Sequence, residues 1–97
     1  MTRYEAGRRF EWKERDFWKN KGYYVIRSAG SKGLFDLVCL PDKHEDAKPL
    51  GIQLKEYSGS RPKPPKEFVD AKVKCHKWWV TRKKGSRWND TERELID

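Results

Sequence analysis

Two stretches of this chain set apolar against polar residues at a spacing of two, and a third does so at helical spacing. Residues 34–40 (L-F-D-L-V-C-L) and Leu50–Tyr57 (L-G-I-Q-L-K-E-Y) read as strands. Side chains of a strand alternate faces, so Asp36 shares a face with Leu34 and Val38, away from Phe35, Leu37 and Cys39. Gln53 and Lys55 likewise point away from Ile52 and Leu54. Residues 3–20 predict a helix, with Phe10 and Phe17 on one side of an apolar stripe and Tyr4 and Trp18 on the other. Gly7, Glu11 and Glu14 fall between or beside them, and Asn20-Lys21-Gly22 reads as the stop.

The rest of the pattern is shorter. Tyr23–Arg27 predicts a third strand, followed by the glycine- and serine-rich loop S-A-G-S-K-G. Residues 41–49 are polar and turn-like, and His44, Glu45 and Asp46 there read as a solvated loop rather than a metal cluster. Residues 58–65 (S-G-S-R-P-K-P-P) form a basic linker whose three prolines exclude helix. Pro65 suits the first position of a short helix over residues 65–75, with Phe68, Ala71, Lys72 and Cys75 on one face. Residues 77–82 (K-W-W-V-T-R) predict a strand, and residues 83–86 a turn that returns Arg87 and Trp88 as a short antiparallel partner. The tail from Asn89 carries helix-start signals: Asp90 or Thr91 as cap, and Glu94 three residues after Thr91. A helical turn or a frayed end is expected there.

These elements sum to one domain over residues 1–97 of α/β class, a helix packed on a small mixed sheet with a second short helix. Charge narrows the partner. Against 15 Asp and Glu stand 23 Lys and Arg, a formal +8, which favours a polyanion and above all nucleic acid. A membrane is not expected, because no run of about 18 apolar residues exists, and the first ten residues lack the apolar core of a signal peptide. Cys39 and Cys75 lie within apolar patterns and read as reduced core thiols, so a cytoplasmic address is expected. Five Trp, four Tyr and four Phe are a heavy load for this length; most must build the core, and the remainder suit stacking on unpaired bases.

An acid inside one apolar strand and a Gln-x-Lys inside another are costly positions for polar groups. If the two strands pair, Asp36, Gln53 and Lys55 converge. Asp36 supplies a charged oxygen, Gln53 a neutral one and the Leu54 main-chain carbonyl a third, a donor set that suits Mg²⁺ with several waters retained. Glu11 reaches in from the helix as a metal ligand, direct or through water; alternatively Glu11 or Glu14 pairs with Arg15, Arg27 or a lysine at the stripe's edge. Lys55 is placed to orient a water or to contact a scissile phosphate, chemistry that phosphodiester cleavage requires. Candidate phosphate contacts are Arg8 and Arg9 on the helix, Arg27, Ser28, Ser31 and Lys32 around the loop, and Arg61 and Lys63 on the linker.

The ordered set Gly7-x-x-x-Glu11, V-I-R-S-A-G-S (25–31), D-L-V (36–38) and I-Q-L-K (52–55) resembles the archaeal-type Holliday-junction resolvases, members of the PD-(D/E)xK nuclease superfamily. The resemblance covers residues 4–57. It implies a restriction-endonuclease-like core, and a homodimer that resolves four-way DNA junctions by paired symmetric nicks with Mg²⁺, Mn²⁺ being a substitute. It also implies catalytic roles for Glu11, Asp36, Gln53 and Lys55, and phosphate contacts by Arg27 and one of Ser28 or Ser31. Two departures stand out: Gln53 replaces the family's usual Glu, removing one negative charge, and the chain after Tyr57 has no close counterpart. Two other classes share these features, a nicking or repair nuclease of the same superfamily and a non-catalytic nucleic-acid-binding module.

Overall fold

The helical stripe forms α1 (Arg3–Asn20), which ends where Lys21 and Gly22 donate their amides to Trp18 and Lys19 carbonyls and Gly22 turns to a φ of 98°. In the computed structural model, residues 3–28, 33–42 and 47–97 are described, with side chains from residue 8 onward in α1. The other elements are β1 (Tyr23–Arg27), β2 (Leu37–Pro41), β3 (Leu50–Tyr57), α2 (Lys66–Asp70), β4 (His76–Lys83), a 3₁₀ turn (Trp88–Asp90) and β5 (Glu92–Leu95). The five strands form one sheet in the order β1-β2-β3-β4-β5, antiparallel except for the parallel pair β3–β4. A parallel pair needs a crossover, and here the proline-rich linker and α2 supply it.

The two faces of the sheet are covered differently. Toward α1 point Leu37, Cys39, Leu50, Ile52 and Val80, which pack on Phe10 and Trp18. Burial together with the nearby Glu14 charge pushes the Cys39 thiol up to about 12, so it stays a protonated core thiol. On the far face Phe68 of α2 is fully buried, between Phe35 and Trp79; a side chain so placed contributes about 1.5–3 kcal/mol. No helix of the described residues is long and apolar enough to cross a membrane.

Glu14 is the exception in the α1 core. Only 1% exposed, its carboxylate accepts from Trp18 Nε1 (3.0 Å) and from Arg93 Nε (2.6 Å) and Nη2 (2.9 Å). Arg93 also lies over the Phe17 ring at 3.5 Å. Of the partners the sequence left open, Glu14 thus takes neither Arg15, Arg27 nor a lysine, but an arginine 79 residues away on β5.

Four elements depart from the sequence reading. The first is the short antiparallel partner expected of Arg87 and Trp88, where a 3₁₀ turn spans Trp88–Asp90 and the pairing with β4 is made by β5 instead. The strand expected over residues 34–40 begins only at Leu37, and Asp36 sits in a bend. Phe35 leaves the strand course and its ring covers Gly51, where an added Cβ would come within 2.5 Å of it. The helix expected over residues 65–75 stops at Asp70. Ala71 is extended, and the buried Lys77 ammonium donates to the carbonyls of Phe68 (3.0 Å), Val69 (2.6 Å) and Ala71 (2.9 Å), satisfying groups that a longer helix would have used. The tail is neither helical nor frayed. It forms β5 on β4, because Arg93 reaches Glu14 and Arg61 reaches Glu92 and Glu94, contacts that outweigh a single capping motif.

Gly51→Val should cost about 1–3 kcal/mol, because the Phe35 ring must leave its place against Phe68. Urea unfolding measures it; an unchanged midpoint would mean that Phe35 does not hold this position.

Candidate metal and nucleic-acid site

β2 and β3 pair only through Leu37↔Ile52, Val38↔Gly51 and Cys39↔Leu50, while β3 runs on to Tyr57. Past Ile52, then, no strand of the described residues lies beside the β2-side edge of β3, and the bend at Asp36 meets it. The Asp36 amide donates to the Ile52 carbonyl (2.8 Å), and its own carbonyl accepts from Ser28 (2.9 Å). Its side-chain Oδ2 accepts the Leu54 amide at 2.7 Å. A carboxylate has taken the ladder position of a main-chain carbonyl. Burial pushes the Asp36 carboxyl above its ordinary value, and the Leu54 hydrogen bond offsets part of that rise.

Asp36, Phe10, Leu54 and Glu56 line a small cavity of about 180 Å³. Leu54 packs against the α1 core, so strand alternation sends Gln53 and Lys55 toward the opposite face. The Gln53 Oε1 is buried without a hydrogen-bond partner, and Lys55 is exposed. Glu11 is held in an ion pair with Arg27. The structure therefore brings Asp36 to the main chain of the Gln53–Leu54–Lys55 segment, and sets Glu11 on Arg27 instead. Among the described residues, no three His, Cys, Asp or Glu side chains gather at one point.

Asp36 and Gln53 each present an oxygen of a kind that suits a hydrated divalent cation, although strand alternation turns Gln53 away from the cavity that Asp36 lines. A carboxylate desolvated at a strand edge and an amide oxygen buried without a donor are both groups that a cation would satisfy. Mg²⁺ retains several waters and needs few protein oxygens. Glu11 could join only by giving up Arg27.

Glu56 is the neighbour that the sequence reading passed over. Two residues beyond Leu54, it lies on the α1 face, its side chain 12% exposed and paired with the equally buried Arg82 at 2.7 Å. Arg82 is fixed in turn by the Ser86 carbonyl (2.6 Å) and by the Trp88 ring, 3.9 Å from its guanidinium carbon. The alternation of β3 was the available signal: Ile52, Leu54 and Glu56 share one face.

The expected phosphate contacts separate into groups. Ser28 is exposed, the Arg27 side chain is 45% exposed beside Glu11, and Lys63 is exposed on the linker. Arg9 is exposed on α1, and Arg8 lies over the Trp12 ring. Ser31 and Lys32 lie outside the described residues, as do His44, Glu45 and Asp46. Arg61 is corrected. It donates to Thr81 Oγ1 (2.8 Å) and Glu94 (2.8 Å) and lies 3.4 Å from Glu92, so it ties the linker to β4 and β5 rather than offering its charge outward. Compared with protein-family models, curated proteins and solved structures, the chain matches none.

Proposed function

We propose that this chain is a metal-dependent, structure-selective endodeoxyribonuclease with a restriction-endonuclease-like core, acting as a homodimer on four-way DNA junctions. The observation that carries the reading is the desolvated Asp36 carboxylate, bonded to the Leu54 amide next in the strand to Gln53, whose own amide oxygen is buried without a hydrogen-bond partner. Asp36 would anchor a hydrated Mg²⁺ ion, which would supply polarisation of the scissile phosphate and a water of lowered pKa. Lys55, exposed on the same strand, donates to a phosphate oxygen where negative charge develops. The excess of basic residues, a formal +8, supplies the phosphate contacts that dominate binding and make it weaken with salt. Paired nicks on opposite strands of a symmetric junction require two sites related by a two-fold axis, hence the dimer.

The test is a nicking assay on a mobile four-way junction, a flap and a plain duplex, each with and without Mg²⁺. Junction-selective paired nicks are expected. Nicking of flap or duplex instead would keep the superfamily and discard the junction. Gln53→Glu restores a negative charge and should tighten Mg²⁺ binding while preserving nicking.

A second reading, a non-catalytic nucleic-acid-binding domain, is favoured by the neutral Gln53 and by the engagement of Glu11 with Arg27. Binding that ignores Mg²⁺, with no cut in any substrate, would establish it.

A further inference from the structure

Five tryptophans divide by burial: Trp18 and Trp79 are buried, Trp78 and Trp88 half-buried, and Trp12 is 44% exposed. Trp12 contributes little to the core. On α1 the inward side is defined by Phe10, Glu14 and Trp18, and Trp12 lies across the helix from them. At spacings of three and four from Trp12 stand Arg8, Arg9, Arg15 and Asp16, and Lys19 follows two turns on. Between residues 8 and 19 the only acid on that side is Asp16, 3.7 Å from Arg15, a weak exposed pair. An indole thus stands in the middle of a row of cations, with the Arg8 guanidinium 5.3 Å from its ring centre.

We infer that this outer face of α1 binds an unpaired stretch of nucleic acid, one base stacking on Trp12 while the flanking phosphates lie along Arg15 and Lys19. The inference rests on the nucleic-acid part of the reading above and adds the surface and the kind of strand. Charge complementarity selects the polyanion, and the aromatic ring selects unpaired bases over duplex, because a base inside a duplex has no π-face to offer. Glu11, next along the helix and paired with Arg27, keeps its negative charge off this row.

Fluorescence and anisotropy titrations of the full chain test this with three probes: an oligothymidine strand, a blunt duplex of equal length and a four-way junction. Trp12→Ala should fold as the parent does, since the ring is exposed, and circular dichroism checks that. It should weaken oligothymidine binding about tenfold while duplex affinity stays within about twofold. Trp12→Phe should recover most of the loss, and the quenching of emission by oligothymidine seen in the parent should be absent from both variants. Lys19→Ala should reduce the salt dependence by about one released counterion on every probe. Parent-like oligothymidine binding by Trp12→Ala, or an equal loss on duplex, overturns the inference and leaves the proposed function standing. Failure of the parent chain to bind any of the three probes overturns both.

Discussion

Glu14→Ala is expected to destabilise the fold by about 3–5 kcal/mol, the usual consequence of removing one member of a buried ion pair. The loss has two sources. Trp18 Nε1 forfeits its acceptor, and Arg93 keeps a largely buried guanidinium whose carboxylate partner has gone. The same contact fastens β5 to α1, so the edge strand should loosen with it. For a domain of this length the melting temperature should fall by more than about 10 °C, and amides of β5 should exchange faster than those of β2. Glu14→Gln keeps the shape and one acceptor and should cost less. A melting temperature within a degree or two of the parent for Glu14→Ala would show that the pair is incidental.

Asp36→Asn is expected to split activity from stability. An amide at this position still accepts the Leu54 N–H, so the fold and junction binding should persist. Nicking should fall on the order of 10³-fold, because the charged oxygen offered to the cation is gone. Stability should move the other way at neutral pH. A carboxyl whose folded value is raised binds its proton more tightly in the folded chain than in the unfolded one. That contribution is fully present below the ordinary value of 3.8 and is lost as pH rises through the raised folded value. Above that window the parent carries an unfavourable desolvated charge that the asparagine variant lacks. Asp36→Asn should therefore melt higher than the parent at pH 7 and no higher at pH 3. Mg²⁺ should narrow the gap at pH 7 by raising the melting temperature of the parent alone. A variant that melts lower at pH 7, or a parent indifferent to Mg²⁺, would remove Asp36 from any metal site.

Both predictions depend on carboxylates that the sequence flagged as misplaced, and the two fared differently under folding. Asp36 stood out as an acid within an apolar run, and it does meet the Gln53–Lys55 segment, though from a bend at a strand edge rather than from within a strand. Glu14 stood out as an acid on an apolar stripe, yet its partner lay 79 residues away, in a tail for which local signals offered a helical turn or a frayed end. Arg61 shows the converse. Among prolines and lysines it looked like one more solvated cation, until β5 brought Glu92 and Glu94 beneath it.

The sequence alone determined the span of α1 and the places of β1 and β3 through periodicity, the helix-free linker through its prolines, and the basic character of the chain through its charge count. Each follows from interactions within a few residues, or from counting charges. The end of α2, the strand at the C-terminus, the far-face position of Phe35 and the pairing of Glu14 and Glu56 with Arg93 and Arg82 were decided only in three dimensions, whereas the pair of Glu11 with Arg27 was among the alternatives the sequence offered. A buried charge takes whatever counter-charge the assembled sheet presents, and hydrogen bonds to groups distant in sequence outweigh the tenths of a kilocalorie that separate one local conformation from another.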